Sequence, residues 1–157
     1  MFGISYTTIP NVHILGYSLA CPQTNIRRAG YAKVPKVVLE IWAPTKQVIC
    51  LVELAAVLTL LHHEHHHLAG TDLMLFVDNS AAVSAFVKGR SGSADLDRLA
   101  QQIHLISYEI DVRIWIEYIE TDANWADGVS RRGPDCHWAR KHGFQVRTVE
   151  VPQLHRE

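Results

Sequence analysis

Three carboxylate residues stand where local sequence patterns could bring metal ligands together. Glu53 lies inside an apolar run typical of a helix, Asp78 ends an apolar run typical of a strand, and Asp127 lies in a short segment after a later strand pattern. Desolvating an unpaired carboxylate is expensive, so acidic residues seldom interrupt apolar runs without a partner. Hard divalent cations prefer oxygen ligands of this kind. The three residues therefore predict a site for a cation such as Mg²⁺.

Each of these residues also has a simpler structural interpretation. Glu53 would complement the helix dipole near a helix start, and Asp78 could cap the helix that follows it. Asp127 could pair with Arg131, which lies one helical turn further on. The occurrence of all three together favours the metal site as our hypothesis.

A second metal-binding pattern lies in the histidine-rich segment at residues 62–67. The stretch from His63 to His67 satisfies the H-E-x-x-H spacing of zinc proteases, with Glu64 as the potential general base. The longer form of that motif requires histidine where the chain has Leu73, and no glutamate follows before Glu109. A zinc protease is therefore the less favoured alternative, and we expect a helix end that faces solvent without a closed tetrahedral site.

Composition indicates one ordinary globular domain. The chain has 157 residues, of which 48% are hydrophobic and 20% charged, with a formal net charge of −1. This length is sufficient for one domain with a real core. A near-neutral charge gives no electrostatic sign of a nucleic-acid partner, because phosphate binding usually leaves a basic surplus.

The cysteines and the apolar runs bear on where the protein works. Cys21, Cys50 and Cys136 are odd in number and widely spaced, so they predict reduced thiols in an intracellular protein, cytoplasmic or nuclear. Residues 1–20 lack a basic region typical of a signal peptide. We also expect no apolar stretch of membrane-spanning length, and hence no membrane partner.

The elements that must position the carboxylates alternate between strand and helix patterns. Apolar periodicity and turn residues predict helices at residues 51–68, 81–87 and 94–110, and a short helical segment around Asp127. Strands are predicted at residues 12–20, 73–77 and 112–118, with one or two more within 31–42. Residues 146–151 are predicted to be either a terminal strand or an extended tail. The unbroken apolar character of residues 73–77 favours a central parallel strand. Together these elements predict one mixed α/β domain.

The order of these residues resembles the ribonuclease H fold, a mixed sheet flanked by helices. A glutamate in the first long helix is followed by Asp78 at a strand end and by residues 124–131, Asn-Trp-Ala-Asp-Gly-Val-Ser-Arg. The last segment is similar to the Asn-x-Ala-Asp-x-x-Ser-Arg stretch of the ribonuclease H-like domains attached to retroelement reverse transcriptases. The resemblance covers about residues 12–132, with residues 133–157 as a C-terminal extension of a single domain.

This resemblance implies a metal-dependent endonuclease that hydrolyses RNA in RNA:DNA hybrids. Glu53, Asp78 and Asp127 would be its catalytic residues and would bind Mg²⁺ or Mn²⁺, and the chain would belong to a larger polymerase polyprotein. Substrate contacts are expected from three polar residues near these carboxylates, namely Asn79, Ser80 and Asn124.

The chain departs from the family pattern on the first strand. The family has an aspartate there, commonly shared by both metal ions, whereas no Asp or Glu precedes Glu40 in this sequence. Spacing would place the missing ligand near Tyr17 or Ser18. We therefore expect impaired hydrolysis, and the alternative is a non-catalytic, retroelement-derived domain that only binds nucleic acid.

Overall fold

Six strands and six α-helices make up the part of the chain that the structure describes. This computed structural model describes residues 2–9 and 12–153, apart from the side chains at positions 2, 6 and 9. The strands are β1 (Phe2–Ile9), β2 (Val12–Cys21), β3 (Ile26–Lys33), β4 (Asp72–Val77), β5 (Arg113–Tyr118) and β6 (Gln145–Thr148). The helices are α1 (Lys36–Trp42), α2 (Val48–Leu68), α3 (Ser80–Lys88), α4 (Ala94–Glu109), α5 (Ala126–Arg132) and α6 (His137–Lys141).

The strands form one mixed sheet in the order β5-β4-β1-β2-β3-β6. β1 pairs antiparallel with β2 and parallel with β4, and β4 also pairs parallel with β5. On the other side, β3 is antiparallel to β2 and parallel to β6. The predicted mixed sheet flanked by helices is therefore confirmed, and β4 is the interior parallel strand that its apolar sequence indicated.

Helix α2 supplies most of the core on one face of the sheet. It contacts β1 and β2 on one side and α4 on the other. With 21 residues it is long and apolar enough to span a membrane, so the expectation that no stretch reaches that length is wrong. However, 72% of its most apolar 18-residue window is buried inside the fold, which is the pattern of a core helix. Gly70 follows its end with a φ of +71°, a conformation that glycine adopts without strain.

The opposite face of the sheet is covered by α5 and the C-terminal segment. Helix α5 contacts β1, β2 and β3, and its approach is close at Gly16, where a Cβ atom would lie 2.7 Å from the backbone nitrogen of Ser130. A second apolar cluster joins this face to α6 and contains Ala29, Val129, Cys136, Ala139 and Phe144. Because β1 and β6 both belong to the sheet, the expected core of residues 12–132 is too short at both ends.

One segment differs in type from its sequence prediction. The segment from Lys36 to Trp42 is helix α1, whereas its β-branched residues had indicated a strand. Pro35 immediately precedes the first turn, where a missing backbone N–H costs nothing. Trp42 is buried in the core, and Leu39 packs against that core, so tertiary packing favours the helix over the local preference.

Candidate active site

The three predicted carboxylates line one cavity. Glu53 projects from the second turn of α2, Asp78 directly follows β4, and Asp127 lies in the first turn of α5. Their side chains share a cavity of about 320 Å³, which is also lined by Thr7, Thr8, Ile49, Asn79, Thr121 and Arg131. The predicted convergence is therefore confirmed, although the roles of the three residues in metal binding and catalysis stay predictions.

Glu53 is a buried acid with an incomplete set of partners. The residue is 1% exposed, and among the described residues no group donates a hydrogen bond to its Oε2 atom. Burial raises the pKa of Glu53 well above its ordinary value, and the nearby carboxyls of Asp78 and Asp127 raise it further. The ionised form of Glu53 is therefore disfavoured here, a cost that a bound cation would offset.

Asp78 shares this environment but has stabilising hydrogen bonds. Burial raises the pKa of Asp78, and the charge of Asp127 adds to the shift. Hydrogen bonds with the side chains of Asn124 and Thr121 act in the opposite direction because they favour the ionised carboxylate. Asp78 is therefore the better preorganised of these two acids for holding a cation.

Asp127 already has a cationic partner. The Nε atom of Arg131 lies 2.9 Å and 2.8 Å from its two carboxylate oxygens. The side chain of Asp127 is 25% exposed and that of Arg131 is 58% exposed, so the pair lies at the mouth of the cavity. The simpler interpretation of Asp127, an ion pair one helical turn long, is thus realised in the structure.

Ser5 occupies the position of the missing first-strand carboxylate. The parallel register pairs Ile4 of β1 with Val77 of β4, so the next residues along the two strands are Ser5 and Asp78. Ser5 is 1% exposed, and its hydroxyl donates to Oδ1 of Asp127 over 3.4 Å. A neutral hydroxyl thus stands where the resemblance implies a charged ligand.

The proposed positions Tyr17 and Ser18 are therefore wrong. Both lie on β2, where Tyr17 pairs with Ile4 and Ser18 with Gly3, one strand away from the carboxylates. The Tyr17 hydroxyl donates to Glu64, and neither residue lines the acidic cavity. The predicted strands begin at residue 12 and so omit β1, although the β-branched and aromatic residues at positions 2–9 are typical of a strand.

The polar residues expected to contact substrate have mainly structural partners. Asn79 caps α3, since its Oδ1 accepts a 2.9 Å hydrogen bond from the backbone N–H of Ala82, but it also lines the cavity. Ser80 is exposed at the start of α3. Asn124 is only 5% exposed; it donates to the carbonyl of Ile4 and accepts from the N–H of Ala126 over 3.1 Å. Asn124 also forms a hydrogen bond with the side chain of Asp78, so its amide connects β1, the start of α5 and the acidic cavity, and its contact with substrate stays a prediction.

The histidine-rich segment does not form a protease site. Glu64 is 0% exposed and accepts hydrogen bonds from Tyr17 at 2.9 Å, Arg28 at 2.5 Å and Arg147 at 2.9 Å. A carboxylate held by two guanidinium groups and a hydroxyl is not available as a general base. His63 Nε2 lies 2.7 Å from the carbonyl of Glu150. The zinc-protease alternative is therefore wrong.

Glu53 and Asp78 are the two carboxylates of the acidic cavity that could hold a divalent cation. Within residues 2–9 and 12–153, no three His, Cys, Asp or Glu side chains are arranged to hold one ion, and Asp127 is turned towards Arg131. Glu53 and Asp78 remain together in the cavity, where burial and then the charge of Asp78 raise the pKa of Glu53. These two carboxylates could hold one Mg²⁺ or Mn²⁺. Two ions would require ligands that Ser5 and the paired Asp127 do not supply.

A larger cavity of about 420 Å³ lies between the turn that joins β2 to β3 and the aromatic residues that flank α5 and α6. Its walls include the aromatic rings of Trp125, Trp138 and Phe144, and no carboxylate lines it. The larger cavity has no carboxylate that could bind a metal ion, so the smaller, acidic cavity is the candidate active site.

Solved structures with the same architecture are ribonucleases H. The chain is similar to a ribonuclease H1 from the halophilic archaeon Halobacterium salinarum NRC-1, with a TM-score of 0.66, 14% identity, and coverage of 83% of this chain and 93% of that one. It is also similar to the N-terminal ribonuclease H domain of a Mycobacterium tuberculosis protein, with a TM-score of 0.61, 13% identity, and coverage of 89% and 94%. No protein-family model and no curated protein matches the sequence. The chain therefore has the ribonuclease H fold.

Proposed function

We propose that this chain is a ribonuclease H-like domain that binds RNA:DNA hybrids at the acidic cavity and hydrolyses them weakly or not at all. The observation that carries this proposal is the position of Ser5, which stands beside Asp78 in the parallel register of β1 and β4. The fold and the convergence of Glu53, Asp78 and Asp127 support a nuclease ancestry. The neutral residue at position 5 supports the loss of activity.

The expected impairment follows from the chemistry of phosphodiester hydrolysis. In a two-metal mechanism, two ions about 3.5–4 Å apart activate the attacking water and stabilise the leaving oxygen. A carboxylate shared by both ions contributes to both steps. The hydroxyl of Ser5 carries no charge, so it cannot replace that carboxylate.

We propose that Glu53 and Asp78 hold one Mg²⁺ or Mn²⁺, which would act as a Lewis acid on a phosphate oxygen. The buried, unpartnered Oε2 of Glu53 supports this assignment among the described residues. A bound cation would also lower the pKa of both carboxyls by favouring their ionised forms.

Hybrid binding at this cavity would depend on that cation. The chain has a formal net charge of −1, and the cavity itself is acidic, so phosphate groups gain little from the protein charge alone. Thr7, Thr8 and Thr121 line the same cavity and offer hydroxyl donors to a phosphate backbone. The cation would bridge these phosphates to the carboxylates.

The origin that we propose is the polymerase region of a retroelement, within a larger polyprotein. This proposal rests on the similarity of residues 124–131 to the corresponding stretch in retroelement domains. Two polar residues of this segment bind the backbone. The Asn124 side chain donates to the carbonyl of Ile4, and the Ser130 hydroxyl donates to the backbone carbonyl of Asp127 over 3.0 Å.

Binding and cleavage measured side by side test the proposal. We expect a fluorescently labelled RNA:DNA hybrid to bind in Mn²⁺ and to dissociate when the ion is chelated, with little cleavage of the RNA strand. Asp78→Asn should weaken the Mn²⁺-dependent binding. Absence of hybrid binding under both conditions would overturn the proposal.

A second candidate is a binding domain without any latent nuclease chemistry. Within the described residues, no three His, Cys, Asp or Glu side chains are arranged to hold one ion, and this favours the second candidate. The two candidates differ in one outcome: restoring a carboxylate at position 5 should recover cleavage only if the rest of the nuclease site is intact.

A further inference from the structure

Strand β5 forms an open edge of the sheet. It pairs with β4 on one side, and no strand within residues 2–9 and 12–153 pairs with its other side. The backbone N–H groups of Arg113 and Ile119 donate towards β4. Because backbone groups alternate in direction along a strand, those of every second residue are directed away from β4. These outward-facing residues are Ile114, Ile116 and Tyr118.

The exposed face of β5 carries two opposite charges on either side of a tryptophan. Arg113, Trp115 and Glu117 are exposed, whereas the two isoleucines between them pack against the core. Trp115 is 65% exposed, and its neighbour on β4, Met74, is 48% exposed, so the two side chains form an apolar patch at the edge. Neither proline nor lysine occurs in β5, although these residues commonly protect edge strands from pairing.

The sequence of β5 is self-complementary in one antiparallel register. If Trp115 lies opposite Trp115 of a second copy, Arg113 of each copy lies opposite Glu117 of the other. The outward-facing backbone groups then also meet, because Ile114 lies opposite Ile116 in a hydrogen-bonded pair. Moving one copy by two residues would keep backbone pairing but remove both charge pairs. The charges therefore select this register.

The two charged residues are already held at the surface in the single chain. The Nε atom of Arg113 lies 2.5 Å from Oδ1 of Asp72 on β4, and Nε1 of Trp115 donates to Oε1 of Glu117 over 2.8 Å. In the antiparallel register, each Arg113 would lie between Asp72 of its own chain and Glu117 of the other. Exposed charge pairs contribute little individually, so backbone hydrogen bonds and the apolar patch would supply most of the affinity.

We propose that a second copy of this chain pairs with the open edge of β5, so that two sheets join about a two-fold axis at Trp115. The interface is isologous, since the same surface serves both copies. The two acidic cavities would lie at opposite ends of the joined edges, because Asp78 directly follows β4 and the two copies run in opposite directions. This pairing is independent of the proposed function, so either can fail without the other.

A charge exchange between two variants tests the pairing and its register. Sedimentation velocity of the unmodified chain should show a dimer that increases with protein concentration. Glu117→Arg and Arg113→Glu should each weaken dimerisation roughly tenfold or more, because each variant places like charges opposite one another twice. An equimolar mixture of the two variants should restore the dimer, since every opposed pair is then of opposite charge.

Glu40→Arg is the matched control for Glu117→Arg. It makes the same change in net charge on helix α1, where the Glu40 side chain is 64% exposed, and it should leave dimerisation unchanged. Thermal unfolding of each variant distinguishes a loss of pairing from a loss of the fold. Restoration in the mixture provides a second distinction, because two unfolded variants would not rescue each other.

A disulfide provides a direct test of the register. Residues opposite one another in a non-hydrogen-bonded antiparallel pair have Cα atoms about 4.5 Å apart, within the range of a disulfide. In a Cys21→Ser background, Trp115→Cys should therefore form a disulfide-linked dimer on mild oxidation. Tyr118→Cys should not, because position 118 would lie opposite position 112, which separates the two introduced cysteines by roughly 20 Å.

Four outcomes would overturn the inference. A monomer at every concentration would contradict the dimer, and a dimer that Glu117→Arg leaves intact would contradict the role of β5. A mixture of the two charge variants that remains monomeric would contradict the register. Disulfide formation at position 118 in place of position 115 would contradict it as well.

Discussion

The hydroxyl of Tyr17 donates a 2.9 Å hydrogen bond to Oε1 of Glu64, a residue 47 positions further along the chain. The bond joins the middle of the sheet to the C-terminal half of α2. Arg28 of β3 and Arg147 of β6 bind the same carboxylate, so one buried acid connects one helix to three strands. Burial and the Glu64 charge also raise the pKa of Tyr17, which keeps its hydroxyl a donor.

Replacing Glu64 should therefore destabilise the fold. Glu64→Gln should lower the free energy of unfolding by about 2–4 kcal/mol, because hydrogen bonds to a charged group are lost and two arginines lose their partner. Urea denaturation measures this change. Glu40→Gln is the control, since the Glu40 side chain is 64% exposed in its ion pair with Lys36 and should change stability by less than about 0.5 kcal/mol. Equal effects of the two variants would contradict the structural role of Glu64.

A carboxylate at position 5 should increase hydrolysis. Ser5→Asp places an anionic ligand beside Asp78, and we expect cleavage of a labelled RNA:DNA hybrid in Mg²⁺ to rise roughly 100-fold, a magnitude typical of one well-placed electrostatic group. Ser18→Asp is the control, because Ser18 is buried on β2 away from the cavity and its replacement should only destabilise the protein. Robust cleavage by the unmodified chain, abolished by Asp78→Asn, would show that the missing carboxylate is dispensable.

Glu53 should make the protein less stable as the pH rises. Its folded-state pKa is raised above the unfolded value of about 4.5, so its contribution to stability is fully present below that value and is lost as pH rises through the folded pKa. Glu53→Gln removes this titration. At pH 7 in metal-free buffer the variant should have a higher Tm than the parent chain, and the difference should shrink at pH 4. If the parent chain were more stable than Glu53→Gln at pH 7 without metal, ionised Glu53 would not destabilise the fold, and the prediction would be wrong.

Asn124 should matter for stability more than for substrate binding. Asn124→Ala removes the bond to the Ile4 carbonyl and the cap on Ala126, and it should cost about 1–2 kcal/mol in the free energy of unfolding. Chemical denaturation measures this loss, with the exposed Gln101→Ala in α4 as the control. If Asn124→Ala weakened hybrid binding without changing stability, the amide would be a substrate contact after all.

Long elements with a clear period could be predicted from the sequence. Helices α2 and α4 and strands β4 and β5 have apolar patterns that extend over many residues, and each was placed to within a few residues. Helix α1 could not be predicted, because its β-branched residues indicate a strand, and only the packing of Trp42 and Leu39 decides otherwise. Strand β1 lies outside the strands predicted from the sequence, although its composition is typical of a strand.

The acidic residues of the candidate site could be predicted from the sequence, because carboxylates within or next to apolar runs are unusual. Glu53, Asp78 and Asp127 are each carboxylates at or near the end of an element, so their convergence could be expected. Ser5 could not be identified, because a serine carries no signal of its own and its role depends on the register between β1 and β4. The partners of Glu64 could not be predicted from the sequence either, because Arg28 lies 36 residues before it and Arg147 lies 83 residues after it.

Strand β1 lies near the start of this sequence but in the interior of the sheet, between β2 and β4. Removing residues 2–9 would therefore divide the sheet into β5-β4 and β2-β3-β6, held together only through the helices. Both newly unpaired strands would present free backbone groups, which are templates for intermolecular pairing. Shortening the chain from this side would thus create a risk of aggregation, whereas loss of the outer strand β6 would leave the other five strands paired in one sheet.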